Sequence, residues 1–178
     1  MRPRVKAFLL FLLYLVASNA IAAAVGWLLV DKLHVFDAQD RSWRPIAFIW
    51  AESIGAVGAF AATWIVARAG GRSVQTLGYR RENALRQFAM GSLFGLTAVG
   101  LLVIAIAALG GLTFGGIAGA AYAIPWLVAF ALVGLAEEMD FRAASLITLA
   151  EAIGFWPAAI ALSVLFAALR VALAAPAW

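Results

Sequence analysis

Residues 7–30 read AFLLFLLYLVASNAIAAAVGWLLV, 24 positions without a single charge. At 1.5 Å per residue, a helix over this run is about 36 Å long, enough for the ~30 Å hydrocarbon core of a bilayer. The run therefore predicts a membrane-spanning helix. Four further apolar stretches follow: about Pro45 to Ala67, Phe88 to Leu109, from near Gly116 through Trp126 and Phe130, and Phe155 to Ala175. The expected fold class is all-α, a polytopic transmembrane helix bundle of about five spans. Residues 1–178 form one membrane-embedded domain in this reading.

Composition agrees. Of 178 residues, 66% are hydrophobic and 12% charged. Soluble domains run near half apolar and a quarter charged, so too few charges remain to cover a soluble surface. Disorder is excluded because it requires low hydrophobicity. Arg2, Arg4 and Lys6 before the first run, with Ala20-Ile21-Ala22 inside it, also fit a signal peptide. The run continues through Val30, too long for that, so a retained helix is expected. The chain has no cysteine, which rules out disulfides, thiolate metal sites and a cysteine nucleophile. Its one histidine is His34.

The loops predict orientation. Arg2, Arg4 and Lys6 precede the first span, and Arg68, Arg72, Arg80, Arg81 and Arg86 follow the second against one acid, Glu82. The loop after the first span balances Lys32, Arg41 and Arg44 with Asp31, Asp37 and Asp40. Basic loops stay in the cytoplasm, so the N-terminus is expected there, in the inner (plasma) membrane of a cell. The charge clusters then report topology rather than a nucleic-acid partner. Small-xxx-small pairs at Gly55/Ala59, Gly91/Gly95 and Gly115/Gly119 suggest close helix packing in lipid.

One segment breaks the apolar pattern: Leu135-Ala136-Glu137-Glu138-Met139-Asp140-Phe141-Arg142. Ionisable groups at membrane depth are costly and mark functional sites by default. Glu138 and Arg142, four apart, share a helix face and are expected to pair. Asp140 points elsewhere. From Pro125 to Ile153 only Gly134 interrupts, so one long helix is expected to carry the cluster; the other reading is a solvated turn after a helix ending near Leu135. Gly154 and Pro157 mark the next turn. Arg170 lies as far beyond that turn as Glu138 lies before it. It either pairs with Glu137 or Glu138 or extends toward the outer interface. Glu52 either faces the bundle or reaches Arg44 or Arg41, the second being favoured.

Glu137-Glu138-x-x-x-Arg142, with Phe141 before the arginine, resembles the first motif of the CPBP intramembrane proteases. These are relatives of the type II CAAX prenyl endopeptidases, also called the Abi family. Phe166-Ala167-Ala168-Leu169-Arg170 resembles the second motif, with Arg170 in place of histidine. Leu77-Gly78-Tyr79-Arg80 is similar to a linker in such proteins. The specific likeness spans about residues 134–170.

The resemblance implies a peptide-bond hydrolase in which Glu137 activates water, Glu138 is its partner and Arg142 orients the carboxylates. It implies a divalent metal such as zinc, yet the family's histidine ligands are absent, one by substitution. The last family motif would lie beyond Trp178, so a C-terminally truncated form is expected. Ala143 replaces the usual glycine. The expected function is thus an intramembrane CAAX-type protease, impaired or inactive, acting on a membrane protein or peptide substrate. The alternative is a non-catalytic membrane protein, a bacteriocin self-immunity or partner-binding scaffold.

Overall fold

A computed structural model describes residues 2–35, 44–79, 82–112, 115–116 and 119–174; of these, the side chains of residues 120, 122 and 170–174 are not described. The described chain is helical, with no strand. Six α-helices follow in order: α1 (Pro3–Trp27), α2 (Pro45–Gly70), α3 (Ala84–Ala108), α4 (Ala120–Phe141), α5 (Ala144–Ile153) and α6 (Phe155–Ala174). Three of the described helices are long and apolar enough to cross a membrane: Pro3–Lys32, Pro45–Gly70 and Ala84–Ala108. Phe155–Leu169 is a shorter apolar helix, and α4 carries three acids near its end.

The chain divides into two compact units, Met1–Tyr79 with Ala123–Trp178, and Arg80–Tyr122. The second contains α3, none of whose residues is buried. Phe94 is 77% exposed there and Leu96 is 74% exposed. Apolar exposure on that scale is untenable in water and natural in lipid.

In the first unit, α1 and α2 start with proline at the first helical position, where a missing N–H costs nothing. α2 stops at Gly71, whose φ is +69°. The Gly71 and Arg72 amides return to the carbonyls of Arg68 and Ala67, capping the helix. The glycine that brings α1 and α2 together is Gly58. A Cβ there would lie 2.6 Å from the Ser18 carbonyl. Gly55, the expected interface glycine, has open space around it, as do Gly91 and Gly95. Small-residue spacing recurs on every face of such apolar helices, so spacing alone did not select the contact.

Tyr14, near the middle of α1, is fully buried with Leu10, Ala62, Val66, Leu77 and Ala144. A second cluster joins Phe11 of α1 to Leu149 of α5 and Ala158 and Leu162 of α6. The helix expected to run unbroken from Pro125 to Ile153 is interrupted. It ends at Phe141 and restarts at Ala144, with Ala143 at φ −90°, ψ −114°. Side chains take over the carbonyls that a continuous helix would use. The Tyr14 hydroxyl donates to the Met139 carbonyl at 2.9 Å, and the Ser145 hydroxyl donates to the Asp140 carbonyl. The Arg142 amide keeps its helical bond to the Glu138 carbonyl, and the Ala143 amide falls back on that same carbonyl. Gly154, at φ +94°, turns α5 into α6 as the sequence predicts.

Candidate functional site

The break gives the acidic segment two faces. On the inner face, Tyr14 also donates to Asp140 Oδ1 at 3.1 Å. The carboxylate that would be expensive against lipid is half-buried and hydrogen-bonded instead. Gly78 closes on the break from the loop after α2, with φ +102°, and a Cβ there would stand 3.1 Å from the Ala143 Cα. Tyr79 follows it, edge-on to Phe60 with ring centroids 5.8 Å apart, its hydroxyl 3.5 Å from Thr63 Oγ1. Burial raises the Tyr79 phenol above its ordinary range, so it stays protonated through neutral pH. Leu77-Gly78-Tyr79 is thus the strap that holds the break; Arg80 lies outside the described residues.

On the outer face is a cleft of about 370 Å³, lined by Glu137, Glu138, Phe141 and Arg142 of the segment around the break. Leu146 of α5 and Phe155, Ala159, Leu162, Ser163 and Phe166 of α6 complete it. Phe141 and Phe166 meet edge to face at 5.2 Å. The Glu137–Arg142 segment and Phe166 therefore share one cleft. The expected Glu138–Arg142 pair is present at 2.5 Å, with the two side chains 56% and 71% exposed. Glu137 is half-buried beside it.

The expected equal depth of Glu138 and Arg170 needed a continuous helix up to Gly154, and the break removes that premise. Arg170 lies on the α6 backbone; its side chain, and so its pairing with Glu137 or Glu138, falls outside the described residues. His34 is exposed beyond the opposite end of α1 and lines no part of the cleft. Glu52 is half-buried on α2. Arg41 lies outside the described residues.

The donor set does not fit the metal implied by the resemblance. No three His, Cys, Asp or Glu side chains converge among the described residues. Glu138 is engaged by Arg142, and an arginine such as Arg170 has no lone pair to offer. What the cleft does offer is a half-buried carboxylate, an ion pair and an apolar wall with three aromatic rings, those of Phe141, Phe155 and Phe166. It can hold an extended apolar chain beside a proton acceptor.

Three features of this region escape sequence reading: Tyr14, the Gly78 approach and an Arg72–Glu151 ion pair. The last left a trace, because Glu151 is an acid inside an otherwise apolar helix and such an acid demands a partner. No protein-family model, curated protein or solved structure matches the chain.

Proposed function

We propose that the chain is a five-span inner-membrane protein with a cytoplasmic N-terminus. In this reading its Glu137–Glu138–Arg142 cleft is the peptide site of a CPBP-type intramembrane protease in impaired or inactive form. The observation that carries this reading is the cleft itself, which joins Glu137, Glu138, Phe141, Arg142 and Phe166. The fourth span is then α4 and α5 in series, broken within the bilayer, and α6 is the fifth. Tyr14 is 7 residues into the apolar run from Ala7, about 10 Å along the axis, so in this reading the break lies in the cytoplasmic half of the bilayer.

In this site Glu137 is the base, Arg142 fixes Glu138, and the Phe141 and Phe166 rings seat an apolar substrate chain. Arg170 in the histidine position supplies a permanent cation and no proton acceptor, so hydrolysis is slow or absent. The Glu138–Arg142 pair favours a second reading, a scaffold that binds a membrane protein or peptide without cutting it.

Both readings require a peptide-binding cleft. A photoreactive residue at Ser163, in proteoliposomes carrying an apolar peptide, should cross-link to that peptide. Equal labelling from an exposed α3 position such as Leu93 would refute the cleft. The chain has no cysteine, so single substitutions also map topology cleanly. Cysteines at Arg4 and Gln75 should label from the cytoplasmic side, and one at His34 from the other.

A further inference from the structure

The basic end of the first unit carries a second cavity, about 730 Å³, between the last turns of α2 and the loop that follows. Its walls present Trp64, Arg68, Arg72, Ser73 and Gln75. We propose that this cavity binds the phosphodiester headgroup of an anionic phospholipid.

Both guanidinium groups are held in place. Arg68 lies over the Trp64 ring at 5.0 Å. Arg72 is clamped by both oxygens of Glu151, at 2.6 and 3.1 Å. Groups fixed beforehand lose little entropy on binding. Ser73 Oγ accepts from the Gln75 amide at 3.3 Å, which leaves its hydrogen free to donate to a phosphate oxygen.

Charge selects the ligand. Arg68 and Arg72 against Glu151 leave a net positive charge, which favours an anionic phosphodiester. Glu151 does not line the cavity, so it tempers the field without facing the anion. Position selects the lipid as the source. Arg68 is in the last turn of a helix long enough to span a bilayer, and Trp64 sits one turn deeper, 50% exposed. Aromatic and basic residues in that order match the depth of ester region and headgroup. Lys6 adds a further cation beside this end, where its amine reaches the Gly70 carbonyl at 3.4 Å. The site is independent of any chemistry at Glu137.

The test is native mass spectrometry of the full chain in detergent, titrated separately with dioctanoyl-phosphatidylglycerol, dioctanoyl-phosphatidylcholine and inorganic phosphate. The glycerol lipid should bind in preference to the choline lipid. Arg68→Gln should weaken it about fivefold, the weight of one basic residue at an anionic surface. Arg68→Lys should retain most of the affinity, which excludes misfolding as the cause. Glu151→Gln should tighten binding about fivefold by freeing the Arg72 charge, an effect that a purely structural ion pair would not produce. Unchanged affinity in Arg68→Gln, or weaker binding in Glu151→Gln, would overturn the site. Inorganic phosphate binding as tightly as the glycerol lipid would overturn the lipid as its occupant.

Discussion

The end of α4 has two faces built on opposite principles. The inner face joins residues far apart in sequence: Tyr14 with Met139 and Asp140, and Gly78 with Ala143. On the cleft face the ion pair joins near neighbours, Glu138 and Arg142, four residues apart and both mostly exposed. Removing a partner from the inner face leaves a buried polar group with nothing to replace it. Removing one from the cleft face leaves a solvated charge. The inner face therefore fixes the break, and the cleft face is free to serve a ligand.

Mutations should separate the two faces by size of effect. Gly78→Val meets both an unfavourable positive φ and the Ala143 backbone, so it should cost about 2–4 kcal/mol in detergent unfolding. A loss under about 1 kcal/mol would mean that the strap does not hold the break. Tyr14→Phe keeps the packing and deletes one hydroxyl that serves two acceptors. It should cost about 1–3 kcal/mol, and adding Asp140→Asn should cost less than the sum of the two. Additivity would dissolve the inner-face network. Glu151→Ala strips Arg72 of its bidentate partner at a half-buried site and should cost about 1 kcal/mol. Arg142→Ala should change stability by less than about 0.5 kcal/mol, since its pair is local and exposed. A larger loss there would erase the contrast.

The same contrast explains what was legible in the sequence. Apolar runs longer than a bilayer is thick announced the first three helices, and Gly154 announced the last turn. The Glu138–Arg142 pair followed from four-residue spacing, because helix geometry alone decides it. The break at Ala143 did not, since no proline or glycine marks it. It is imposed from outside by Tyr14, which holds the Met139 carbonyl from 125 positions away, and assisted by Ser145, whose hydroxyl replaces a backbone donor. Gly58 rather than Gly55 makes the α1–α2 contact because the facing residue, Ser18, belongs to another helix. Long-range contacts depend on how helices rotate against one another, and periodicity in so uniformly apolar a chain hardly constrains that rotation.

The proposed cleft is protease-like, with a Glu137 that does not drive hydrolysis. The most direct measurement is mass spectrometry of an apolar peptide incubated with the reconstituted chain in oxygen-18 water, in parallel with Glu137→Gln. Wild type should yield no labelled new carboxyl terminus above the level of the variant. Label incorporated by wild type and lost in Glu137→Gln would contradict it.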